Sequence, residues 1–222
     1  MKSAKRKFDN ICVFNETTPD YFLFRTDELD APDVHETSVI YNAFQIFGIP
    51  DSLSDTEMEE AFHGEKKDMK KIGTIHGCLI LCEEITLQGE DPHLVCDDLD
   101  GDLEYMLHEL EEEGTINVSD GLSGERIYYI HEFFLEDEFK KDLELEKFVI
   151  SKLPDFVYTL LHVRPEVLSY IYPLPGLLED PNNGLVDSDT STEKSTTSVF
   201  YQYKKHGFRE VGTSRVVYKD LR

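Results

Sequence analysis

The sequence predicts a mixed α/β fold, a central sheet flanked by helices, and three observations point that way. Ile72 to Glu84 is apolar on both faces, as an interior strand should be. Arg126 to Leu135 is a second long β-branched and aromatic run. Segments whose apolar residues recur every three or four positions lie around these two, and 14 Phe and 11 Tyr among 222 residues supply a packed core.

In chain order, Ile11 to Phe14 and Tyr21 to Phe24 read as two strands or a hairpin, separated by Asn15, Thr17, Thr18 and Pro19. Val34 to Phe47 places Val39, Ile40, Ala43, Phe44 and Phe47 at helical intervals and predicts an amphipathic helix stopped near Gly48 and Pro50. Ser54 followed by Glu57 marks another helix start, ending near Gly64. After the Ile72 strand, His93 to Cys96 reads as a short partner strand. Leu99, Leu103, Met106, Leu107 and Leu110 then form a helical stripe ending near Gly114. The Arg126 strand is followed by a helix over Leu143 to Leu160, with Pro154 expected to interrupt or kink it. Val167 to Tyr172 reads as a strand closed by Pro173. Residues 179–198 are polar and rich in turn formers, which predicts a mobile loop. Phe200 to His206 suits a helix capped by Gly207, and Glu210 to Leu221 alternates like one long final strand. The expected organisation is one domain over residues 1–222, with an acidic helical insertion at about 97–121.

Lys and Arg total 22 against 46 Asp and Glu, a formal charge of −24. Such a surface opposes nucleic acid and anionic membranes, so neither is an expected partner. No apolar run approaches the roughly 18 to 20 residues that span a bilayer, and Met1 to Phe8 lacks a signal-peptide core, which predicts a cytoplasmic protein. Cys12, Cys78, Cys82 and Cys96 lack metal-knuckle spacing and read as buried thiols. Asp97-Asp98-Leu99-Asp100-Gly101-Asp102 fails the calcium-loop spacing and reads as an acidic helix start.

The last third of the chain carries a family resemblance. Phe200-Tyr201-Gln202-Tyr203-Lys204-Lys205-His206-Gly207-Phe208 resembles the closing helix and turn of the GCN5-related N-acetyltransferases (GNAT), in which an aromatic helix ends in Tyr-x-x-x-Gly-Phe before the last two strands. Arg126 to Leu135 resembles that family's fourth strand, and the helix after it falls where the coenzyme-binding helix belongs. The resemblance implies a GNAT-like mixed sheet with a helical insertion before the fourth strand, and transfer of an acetyl group from acetyl-coenzyme A to a small-molecule or peptide amine. Tyr203 would be the acid that protonates the departing thiolate, with Tyr201 as the alternative if the register shifts by two, and Glu132 a base for the amine. Backbone N–H groups after Phe133 would polarise the thioester carbonyl. The coenzyme-binding segment would comprise Phe133, Leu135, Lys140, Lys141, Asp142, Leu143, Glu144 and Leu145. A free sheet edge near the final strand leaves room for a homodimer.

Within that segment the chain departs from the family pattern of Arg or Gln, two residues, Gly, one residue, then Gly or Ala. Aligned on Phe139, Leu143 and Leu145 occupy the small-residue positions, and Asp142 and Glu144 set carboxylates where a pyrophosphate would dock. A second expectation follows from these residues: a non-catalytic protein of the same fold whose acidic surface binds a basic partner or mimics nucleic acid.

Overall fold

The structure is a computed structural model that describes residues 10–16, 38–49, 70–118, 125–140, 142–172, 179–180, 184–185 and 203–222. The expected strand Tyr21 to Phe24 and the helix starting at Ser54 lie outside these residues. The strands are β1 (Asn10–Glu16), β2 (Val39–Ile49), β3 (Lys70–Leu81), β4 (Arg126–Leu135), β5 (Val167–Ile171), β6 (Glu179–Asp180), β7 (Gly184–Leu185), β8 (Arg209–Glu210) and β9 (Val216–Asp220). The helices are α1 (Cys82–Leu87), α2 (Pro92–Leu99), α3 (Gly101–Glu112) and α4 (Leu143–Leu161). Hydrogen bonding joins seven strands in the order β1-β2-β3-β4-β5-β9-β8, and β6 pairs with β7 alone. β4 and β5 run parallel, joined through α4, while β5 with β9 and β8 with β9 are antiparallel. The chain is therefore a mixed α/β protein with the two strong strand candidates at interior positions of the sheet.

The chain divides into two compact units, with β3 passing from one to the other at Gly77 and β4 at Ile130. In the first unit β1 pairs with β2 from Asn10↔Ile49 to Glu16↔Ala43. β2 replaces the amphipathic helix expected over Val34 to Phe47. Its buried residues fall on both strand parities, Phe44 and Ile46 against Val39, Ala43 and Phe47, so an interior strand leaves the same three- and four-residue recurrences as a helical stripe. Val39, Ile40, Tyr41, Phe44, Ile46 and Phe47 are all β-branched or aromatic, which decides the ambiguity.

Helix α4 runs unbroken through Pro154 where an interruption was expected. A mid-helix proline costs about 3 kcal/mol, and the buried face of Val149, Ile150, Leu153 and Val157 crosses it and outweighs that cost. The helix ends at His162, whose left-handed φ of 58° lets its N–H reach the Tyr158 carbonyl at 3.0 Å. On β3, the Gly73 backbone lies against β4 so closely that a Cβ there would sit 2.1 Å from the Phe134 carbonyl oxygen.

In the second unit β3 stops at Leu81, short of Glu84, because α1 begins at Cys82 with its backbone N–H on the Glu125 carbonyl at 3.1 Å. His93 to Cys96, expected as a strand, lies in α2. Asp91 accepts the His93 N–H at 2.9 Å and Pro92 occupies the first turn, a helix start that outweighs the β character of Val95. α3 buries Leu103, Met106, Leu107 and Leu110, and its packing partners are α2, β5 and β9. Asp100 caps it by accepting the Asp102 N–H at 2.9 Å. The long final strand expected over Glu210 to Leu221 is instead the β8–β9 hairpin, broken at Gly212, whose φ of 50° a continuous strand would not hold. Within the polar segment expected to be a loop, Glu179↔Leu185 and Asp180↔Gly184 pair as a short hairpin.

Cys78, Cys82 and Cys96 are free and buried; burial, with Glu104 and Asp100 nearby, pushes the Cys96 thiol up to about 12. Maleimide at pH 8 should therefore leave these three unmodified in the native protein and label all four cysteines after unfolding, read by mass. Gly73→Ala should lose about 3 kcal/mol or more in urea unfolding, whereas Gly101→Ala, whose Cβ meets nothing within 4 Å, should cost nothing.

Candidate functional site

Three places carry the chemistry-bearing side chains. In the first unit, β4 leads through Glu136 into the turn 137–140 and then into α4. The Glu136 N–H bonds the Ile72 carbonyl at 2.8 Å, and the Phe139 and Lys140 N–H groups return to the Glu136 carbonyl at 2.7 and 3.1 Å. Phe139 is buried beneath this turn, with Lys70 Nζ 5.6 Å from its ring centre. Lys70 pairs with Glu138 at 2.5 Å, Lys71 with Glu136 at 3.9 Å and Lys140 with Asp137 at 2.5 Å. The Lys140 side chain holds the exposed Asp137 carboxyl below its ordinary range. Lys141 lies outside the described residues.

Asp142 caps α4 itself, its carboxylate accepting the Leu145 N–H at 3.0 Å. Glu144 is exposed and Glu146 buried in the same first turn, and Leu143 stands 48 % exposed. The helix start is thus occupied by its own carboxylates, an arrangement suited to the helix dipole and to attracting cations. Upstream on β4, Phe133 is half-buried and Leu135 buried. The parallel register with β5 ends at Ile130↔Tyr170 while β4 runs on to Leu135.

Glu132 is exposed, its carboxylate 3.7 Å from His76 Nδ1 on β3. His76 also meets the Phe134 ring edge-on at 6.2 Å. His131 takes the alternate strand position and its ring stacks on Tyr41 at 5.8 Å. Sequence reading overlooked His76; the signal was two polar positions, Thr74 and His76, on either side of buried Ile75 and both partly exposed.

Tyr203 belongs to the second unit. The helical turn 203–205 closes with the Phe208 N–H on the Tyr203 carbonyl at 3.2 Å, made possible by Gly207 at φ 87°. The Tyr203 ring is 7 % exposed, stacked on Tyr170 at 4.4 Å and meeting buried Phe208 edge-on at 5.1 Å. Tyr201 lies outside the described residues. Glu132 and Tyr203 thus belong to different units, and each has close neighbours of its own.

The third place is a whole stretch of chain. Between Lys71 and Arg126 there is no lysine or arginine, against fifteen Asp and Glu. Its cationic neighbours come from elsewhere in the second unit. Arg222 reaches Glu125 at 3.2 Å and the Thr115 carbonyl at 2.7 Å, and Arg215 lies 3.9 Å from Asp102 and 5.3 Å from the Tyr105 ring. His93 meets Glu111 at 3.0 Å. Burial pushes the Glu125 carboxyl up, with Arg222 acting against it. Among the described residues no group of three or more His, Cys, Asp or Glu side chains is placed to hold a metal ion. No described helix is long and apolar enough to cross a membrane.

Tyr203→Ala should cost about 3 to 5 kcal/mol in denaturant unfolding, as for an aromatic deleted from a core, and Tyr203→Phe about 1 or less. No family model matches this chain, and no curated protein matches it.

Proposed function

We propose that the chain is a divergent protein of the GCN5-related acetyltransferase fold that binds a basic partner through its acidic surface and does not bind acetyl-coenzyme A in that family's manner. The order strand, helix, parallel strand, aromatic turn and closing hairpin supports the fold reading, as does the Tyr203, Gly207 and Phe208 turn. The residues at the start of α4 do not fit the coenzyme. A pyrophosphate needs free backbone N–H groups and small residues; here Asp142 holds the Leu145 amide, Leu143 and Leu145 replace the small positions, and Glu144 adds repulsion.

One observation carries the binding function: residues 72–125 carry fifteen carboxylates and no lysine or arginine. Such a surface attracts a cationic partner over a Debye length and repels polyphosphates. A second reading, acetyl transfer to an amine with Tyr203 as acid, is favoured by the family resemblance of the Tyr203, Gly207 and Phe208 turn.

Calorimetry separates the two. The binding function requires that an oligolysine peptide bind with an affinity falling steeply between low and physiological salt, and that millimolar acetyl-coenzyme A give neither heat nor a rise in melting temperature. Saturable coenzyme binding would replace this function with the enzymatic one, and Tyr203→Phe should then cut turnover with little change in affinity.

A further inference from the structure

The segment that leaves α3 is held by side chains that carry charge. Ile116 and Val118 are buried, and the polar backbone around them is tied from outside. The Thr115 carbonyl accepts from Arg222 at 2.7 Å, and the Val118 N–H donates to Glu111 at 2.9 Å. Arg222 in turn reaches Glu125 Oε1 at 3.2 Å, and its Nε and backbone N–H both donate to Asp220 Oδ1 at 3.0 Å. One guanidinium thus joins the end of β9, the residue that precedes β4 and the segment after α3.

Glu125 is the unusual member of this clasp. Its backbone is fixed, the carbonyl accepting the Cys82 N–H at 3.1 Å. Its side chain is 9 % exposed, and Oε2 is buried with no hydrogen-bond partner among the described residues. The charged groups facing it are Arg222 and Asp220 from the end of β9 and Glu166 from the start of β5, whose own cation is Arg126 at 2.5 Å; α1 contributes the neutral Cys82 thiol. Burial pushes the Glu125 carboxyl up, Arg222 and a backbone hydrogen bond from Asn117 oppose the rise, and Glu166 and Asp220 add to it. Arg222 holds the Asp220 carboxyl below its ordinary range. A falling pH therefore neutralises Glu125 first and leaves Arg222 a charged partner two residues away. The folded Glu125 carboxyl takes its proton more readily than the unfolded one, so acidification through its range removes an electrostatic cost and does not unfold the chain through this group.

We propose that Glu125 and Arg222 form a proton-operated latch on the segment 115–118. Ionised Glu125 keeps Arg222 on the Thr115 carbonyl. Protonated Glu125 leaves the guanidinium on Asp220 alone and frees the segment through which the acidic helices lead to β4. The latch is independent of the binding function proposed above.

Hydrogen exchange of the full chain, read by mass and corrected for the intrinsic rate at each pH, tests the latch. Between about pH 7 and about pH 5 the amides of residues 115–118 should exchange about tenfold or more faster, while those of β4 and β5 keep their protection. Glu125→Gln should show the open segment at both pH values, with a melting temperature at pH 7 no lower than that of the wild type, because its isostere carries no buried charge. Arg222→Gln should open the same segment and remove its pH dependence; Arg164→Gln, whose partner is Asp155, should change neither. Protection of 115–118 that does not vary with pH in the wild type, a loss shared equally by β4 and β5, or a pH dependence that survives in either variant overturns the latch. A lower melting temperature for Glu125→Gln makes the ion pair a structural one and overturns it equally.

Discussion

The unbalanced charge of residues 72–125 is the constraint around which the second unit is built. Fifteen like charges in one stretch oppose compaction, and of the few cations that approach them Arg215 makes a partly exposed contact with Asp102 worth about 1 kcal/mol or less, while Arg222 pairs with the largely buried Glu125. Stability has to come from apolar burial. Leu103, Met106, Leu107 and Leu110 on α3, Val95 and Cys96 on α2, and Ile85 on α1 are all buried, at roughly 1.5 to 3 kcal/mol for each large side chain. The repulsion is therefore tolerated and left facing solvent, where it can act on other molecules.

The start of α4 follows a related logic at smaller scale. A helix N-terminus can offer its amides to a ligand or satisfy them internally. Asp142 takes the second course, while Lys71, Lys140 and Lys70 pair with Glu136, Asp137 and Glu138 in turn. The exposed Glu144 and Leu143 stand beside these amides, where a phosphate would meet a carboxylate and an apolar side chain.

Long elements with one dominant pattern were legible in the sequence. β4 spans the expected Arg126 to Leu135, α3 buries the expected leucine and methionine stripe, and Gly207 takes the expected left-handed cap. Failures came where two patterns coincide. A strand buried on both faces, β2, mimics helical spacing, and a helix as short as α2 is decided by its Asp91 cap and Pro92 and not by Val95. Of the candidate site, the carboxylates and leucines at 142–145 could be named from sequence, because their identity alone opposes a phosphate. The neighbours of Glu132 and Tyr203 could not, since His76 and Tyr170 approach them only through strand pairing and tertiary packing.

The Tyr170 and Tyr203 stack has an optical consequence. The chain contains no tryptophan, so its near-ultraviolet circular dichroism comes from tyrosine and phenylalanine held in fixed asymmetric surroundings. Two near-parallel phenol rings 4.4 Å apart, with Tyr172 edge-on to Tyr170 at 5.8 Å and Phe208 beside Tyr203, form a coupled set of fixed chromophores in the second unit. A collapsed chain that kept its helices and lost this packing would keep its far-ultraviolet signal and lose the tyrosine band.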